Sequence, residues 1–85
     1  MNIGAKDFRR DVKNTRKGYF TLELGGVEIR QCALHKHDNG KIWFSPPAVS
    51  VGDGYVAVVA IADEALKQQI RDRVTEILGP VVKHD

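Results

Sequence analysis

Four side chains that can bind a metal or serve as nucleophile and base stand together in the stretch CALHKHD: Cys32, His35, His37 and Asp38. Thiolate, imidazole and carboxylate are the ligands zinc prefers, so the composition of this stretch invites a metal site. Its spacing argues against one. On an extended strand alternate side chains share a face, which puts His35 and His37 on one side and Cys32 on the other. They cannot close around a single ion locally, and a His-x-His pair would need further ligands from a second copy of the chain or from His84. We therefore expect no metal and no cofactor, with the two histidines facing solvent ahead of a turn. The parity of Cys32 places it in the core, away from the exposed, electropositive setting that activates a cysteine. Ser45 and Ser50 sit in no nucleophile motif, no glycine-rich phosphate loop of the Walker type is present, and no carboxylate pair stands out. The expectation is a protein without enzymatic activity.

Binding chemistry is better represented. The segment RRDVKNTRKGYF is the most charged in the chain, and residues 6 to 17 carry Lys6, Arg9, Arg10, Lys13, Arg16 and Lys17 against Asp7 and Asp11. That is a local excess of +4 in a chain whose net charge is +2, so positive potential is concentrated near the N-terminus. Such a cluster attracts polyanions. It also suits an edge strand whose charges, with Asp7 and Asp11 paired to neighbours, discourage edge-to-edge aggregation. Both readings stay open on the sequence.

The elements that must position these groups follow from periodicity. At 85 residues the chain is one domain spanning 1–85, and its 42% hydrophobic and 28% charged residues are those of a folded protein. A domain of this size buries only roughly 60 to 65% of its unfolded surface, so extra burial in a homodimer would help. From Tyr19 the side chains alternate, with Phe20, Leu22 and Leu24 on one face and Tyr19, Thr21 and Glu23 on the other. Gly25-Gly26 supplies a tight hairpin turn, and the chain returns through VEIRQCALHKH. There Val27 and Ile29 have one parity and Cys32 and Leu34 the opposite one, which predicts a bulge near Arg30 or Gln31. Asn39-Gly40 predicts a second hairpin with a two-residue type I′ turn, followed by a short strand over Lys41 to Phe44 that buries Ile42 and Phe44 and turns Trp43 the other way.

SPPAVSVGDG reads as a loop, because Pro46 and Pro47 donate no ladder hydrogen bonds and Gly52-Asp53-Gly54 punctuates a turn. YVAVVAIA after it is apolar on both parities, as for a strand covered on both faces. Those eight residues, Tyr55 to Ala62, form the longest run without a polar side chain, far short of the about 20 a membrane span needs. No apolar stretch follows the charges of MNIGAKDFRR, so no secretory signal is expected, and the single cysteine suits a reducing cytoplasm. Asp63 predicts a helix cap and Gly79-Pro80 a stop, with Leu66, Ile70, Val74 and Ile77 forming one apolar stripe. The fold class is thus α+β: a small twisted antiparallel sheet of four to five strands with one C-terminal helix packed on one face.

On that arrangement the sheet face away from the helix carries Tyr19, Trp43, Lys41 and His35, with the basic segment close by. Aromatics interleaved with cations on an open sheet can stack unpaired bases while lysine and arginine follow the phosphates of DNA or RNA. The predicted nucleic-acid-binding residues are Arg9, Arg10, Lys13, Arg16, Lys17, Tyr19, Lys41 and Trp43. The same aromatics would equally suit a second subunit or a host or phage protein partner, since Trp and Tyr are favoured at protein interfaces.

From Phe20 to Leu78 the chain resembles the SpoVG family of small bacterial proteins. The resemblance lies in the paired strands of FTLELGGVEIRQCAL, the Asn39-Gly40 hairpin, an aromatic strand ending at Pro47, the Asp53-Gly54 turn, an apolar strand and a terminal helix. The opening VKNTRKGYF to LELGGVEIRQC also resembles short proteins of phages and their bacterial hosts. What the family resemblance implies is a dimer built by sheet pairing that binds DNA or RNA in a regulatory role. One departure is specific: members usually carry a basic pair just after the proline matching Pro47, where this chain has Ala48-Val49-Ser50.

Overall fold

The computed structural model describes residues 1–57 and 59–84, and for residues 49–51, 56 and 57 the backbone alone. Four strands form an antiparallel meander in the order β1 (Ile3–Lys13), β2 (Arg16–Leu24), β3 (Val27–Lys36) and β4 (Ile42–Ser45). One helix, α1 (Glu64–Leu78), packs across one face and touches β1 and β4. The fold class is the one the periodicity predicts.

Bulges are what make the strand patterns consistent. In β3 the register slips between the pairs Phe20↔Cys32 and Leu22↔Ile29, and Gln31 there takes a φ of 61°. Ile29, Cys32 and Leu34 can therefore point to one side despite their mixed parity, whereas Val27 at the strand's start stays 60% exposed. β1 has a counterpart: Asp7 takes a φ of 56° and the register slips between Lys6 and Arg9. That slip lets Phe8 join Ile3 and Ala5 against the core, and it turns Lys6 and Arg9 to the open face. The highly charged N-terminal segment is thus an edge strand joined to β2 by a turn at Asn14-Thr15.

The core lies between the sheet and α1. Phe20 and Leu22 from β2, Cys32 and Leu34 from β3, and Ile42 from β4 meet Ile70, Val74 and Leu78 of α1. Asp63 caps the helix by accepting a hydrogen bond from the Leu66 amide at 3.1 Å. Beyond the helix Val82 is fully buried, and the Lys36 ammonium donates to the Val82 and Lys83 carbonyls at 2.9 and 3.0 Å. Burial of each such side chain contributes about 1.5–3 kcal/mol, which makes this C-terminal turn part of the domain.

Three expectations are corrected. The β3–β4 connection is not a two-residue type I′ turn: His37 and Lys41 are bonded through backbone and enclose three residues, and the positive φ falls on Gly40 (89°) and not on Asn39. Asn39 uses its side chain instead, accepting from the Lys41 amide at 2.9 Å. Next, the SPPAVSVGDG segment is not all loop, because β5 (Ala48–Val51) pairs with β6 (Gly54–Ala57) in a hairpin that turns at Gly52-Asp53. The prolines end β4 but leave the residues after them free to pair. Finally, the strand expected from Tyr55 to Ala62 stops at Ala57. Tyr55 is 80% exposed and residues 59–63 are not extended strand, although Ile61 packs on the core; Val58 lies outside the described residues. Among the described residues the β5–β6 hairpin packs closely on no other element, which is why its apolar run is not that of a central strand. No helix of the described residues is long and apolar enough to cross a membrane.

Candidate functional site

The open face of the sheet is built from alternate residues of four strands. Arg9 of β1 is opposite Tyr19 of β2, Tyr19 opposite Ala33 of β3, and Ala33 opposite Ser45 of β4. One step along, Arg16, His35 and Trp43 form a second row. Small side chains at Ala33 and Ser45 between the large ones at Tyr19 and His35 leave a depression. It is a concavity of about 810 Å³, within the range of ligand sites. Its floor is Tyr19, Ala33 and His35, one wall is Lys13, Asn14 and Thr15 of the β1–β2 turn, and the other is Pro46, Pro47, Ala48 and Tyr55.

Its electrostatics are one-sided. Arg9, Lys13 and Arg16 line the concavity, and among the described residues no carboxylate does. Two of the three cations are fixed on an aromatic ring: the guanidinium carbons of Arg16 and Arg9 lie 4.8 and 5.8 Å from the Tyr19 centroid. Arg16 is also held by Asp11, its Nε donating to the backbone carbonyl and its Nη2 to Oδ1, each at 3.0 Å. Arg9 reaches across β2 to donate to Gln31 Oε1 at 3.3 Å. Preorganised guanidinium groups lose less freedom when they bind an anion. Toward the Gly25-Gly26 turn the same face is neutralised, since Lys6 pairs with Glu28 and Glu23, and Arg30 with Glu28. The hydrogen bond between Lys6 and Glu28 holds the ammonium above its ordinary pKa and the carboxylate below its own.

A stack of rings continues from the concavity toward β4. The His35 and His37 imidazoles both stack on Trp43, with centroids 4.8 and 3.8 Å away and planes inclined by 11° and 25°. Burial, with the positive charges of Arg16 and His37 adding to it, lowers the His35 pKa. Its Nδ1 is 3.2 Å from Thr15 Oγ1. His37, Trp43 and Lys41 line a neighbouring cleft with Arg71 of α1.

The structure brings Arg9, Lys13, Arg16 and Tyr19 of the predicted residues into one concavity and sets Lys41 and Trp43 beside it. Arg10 and Lys17 line neither. Arg10 follows Arg9 on β1, so alternation turns it to the opposite face. Lys17 falls where the register slips between Arg16 and Gly18. Sequence reasoning did not single out Gln31, Ala33 or Tyr55. The parity pattern marks a bulge near Gln31 but not its bond to Arg9, and the apolar run around Tyr55 reads as a buried strand.

The histidines are on the face opposite Cys32, as their parity requires. Cys32 is buried, with its Sγ 3.5 Å from the Ile29 carbonyl, and burial pushes its pKa up to about 11. Among the described residues no three His, Cys, Asp or Glu side chains stand close enough to hold a metal ion. No family model, curated protein or solved structure matches the chain.

Proposed function

We propose that the chain is a non-catalytic protein that binds single-stranded DNA or RNA through the open face of its sheet, acting as a cytoplasmic homodimer in a regulatory role. The observation that carries this reading is the concavity lined by Arg9, Lys13 and Arg16 with Tyr19 at its floor and, among the described residues, no carboxylate at its wall. Cations grouped around exposed aromatic surface attract phosphates electrostatically and offer guanidinium and ring planes on which bases stack. Single strands fit better than duplex, because the groups lie on a sheet in a concavity and α1 uses its apolar stripe on the core. The same reading is what the resemblance to the SpoVG family implies. A non-catalytic role accords with Cys32, whose raised pKa is the reverse of an activated thiol.

Titration of Trp43 fluorescence with single-stranded DNA, duplex DNA and single-stranded RNA tests the proposal, since Trp43 touches the concavity through His35. Quenching that weakens steeply as salt rises is the expected result. An unchanged signal with every polymer at low salt, together with no retention in a filter-binding assay, would remove it.

A second reading rests on the hairpin. With Tyr55 80% exposed and a cleft of about 360 Å³ whose apolar lining of Phe44, Pro46, Val59 and Ile61 is edged by Lys67 and Arg71, the chain would instead be an interaction module for a host or phage protein. Binding insensitive to ionic strength would favour that reading over the first.

A further inference from the structure

We propose that the concavity over Ala33 is a pocket for a phosphomonoester, the terminal phosphate of a nucleic-acid strand, and this inference rests on the function proposed above. Three cations line one depression, Lys13 opposite Arg16 across the β1–β2 pair and Arg9 and Arg16 both against the Tyr19 ring, and even with Asp11 set against Arg16 the balance of the site is positive. A terminal phosphate carries about −1.5 to −2 charges at neutral pH, whereas each internal phosphodiester carries one. Convergent cations match the former; a track of spaced cations would match the latter. The wall adds neutral groups that can donate to phosphate oxygens, the Asn14 amide and the Thr15 hydroxyl. Pro46 and Tyr55 on the opposite side leave apolar surface against which the terminal sugar and base can rest. Ala33 is what keeps the space open: a larger side chain at the centre of the floor would occupy it without altering any charge.

The probes are an oligothymidylate bearing a 5′-phosphate, the same oligomer bearing a 3′-phosphate, the oligomer with hydroxyl groups at both ends, and thymidine 5′-monophosphate alone. One phosphorylated end is expected to bind at least about tenfold more tightly than the hydroxyl-ended oligomer, from the added charge-assisted hydrogen bonds. Ala33→Leu should weaken the phosphorylated oligomer more than the hydroxyl-ended one, so that the preference is lost. Where Ala33→Leu does not fold, Lys13→Gln at an exposed position takes its place, and the preference should fall there too. Equal affinity for phosphorylated and hydroxyl-ended oligomers overturns the pocket and leaves the nucleic-acid reading standing. Binding of the mononucleotide but of none of the oligomers leaves a phosphomonoester site and overturns both the nucleic-acid reading and the strand end as its ligand. Absence of binding by every probe overturns both.

Discussion

The Arg16 guanidinium lies over the Tyr19 ring, 4.8 Å from its centroid, while Asp11 grips the same guanidinium through a carboxylate oxygen and a backbone carbonyl. Ring and cation are therefore one unit, and the turn between β1 and β2 sets where it points. Tyr19→Ala removes the surface on which both Arg16 and Arg9 rest. Loss of a stacking side chain should weaken single-strand binding by about 1–3 kcal/mol, and Tyr19→Phe, which keeps the ring, should restore most of it. Equal loss in both variants would mean that the hydroxyl, and not the ring, matters.

Arg9 and Arg10 are adjacent in sequence but belong to opposite faces of β1. Arg9→Glu places a carboxylate in the concavity and should weaken binding severely and flatten the salt dependence of what remains. Arg10→Glu changes the net charge by the same amount on the other face and should cost far less. Affinities measured for the two variants at one ionic strength separate a site from a diffuse field. Equal losses would show that only overall charge acts.

Gly18 explains how β1 comes so close to β2. A Cβ at this position would lie 2.3 Å from the Arg9 carbonyl oxygen and 2.8 Å from the Phe8 ring. The ring can shift, but the carbonyl belongs to the paired backbone. Gly18→Ala should therefore destabilise the fold by about 1–3 kcal/mol, the usual cost of overpacking. Because β1 carries Arg9, binding should weaken with it. A denaturation midpoint equal to that of the parent chain would refute the close approach.

The fold was legible where one pattern governs an element. The helix was bounded by Asp63 and Gly79, and the bulge at Gln31 followed from the parity clash between Ile29 and Cys32. The same clash between Ala5 and Phe8 marks the bulge at Asp7, but the surrounding charges hid it in a segment with few apolar residues. Tyr55 misleads because apolar composition is not burial: in a hairpin that packs closely on no other element among the described residues, it is 80% exposed. Tyr19, His35 and Trp43 could be assigned to one face by alternation. The concavity could not, since it depends on Ala33 being small beside Tyr19 and on a wall brought back from Pro46 to Tyr55.

Cys32 offers a probe of opening. It is buried and its pKa is pushed up to about 11, so little thiolate exists at neutral pH and a reagent cannot reach it in the native state. A thiol reagent should modify native protein only as fast as the core opens, and rapidly once denaturant unfolds it. Prompt stoichiometric labelling of the native chain would place Cys32 outside the core.

The His35, His37 and Trp43 stack gives the domain an expected response to pH. Burial lowers the His35 pKa below the ordinary histidine value of 6.5, so the unfolded chain binds the proton more readily than the folded one. Stability is then fully present above about 6.5 and is lost as pH falls through that value and the lower folded one. Denaturation midpoints measured across this window should decline toward acid, and His35→Gln should flatten the decline. Trp43 emission should report the same titration, because an imidazolium quenches an indole it touches more strongly than a neutral ring does. The binding response has the opposite sign: each proton added here raises the positive potential beside Arg16 and Lys13, so affinity for a polyanion should increase as the fold weakens. A midpoint that rises toward acid would mean that His35 is charged more readily in the fold, by a partner that outweighs its burial.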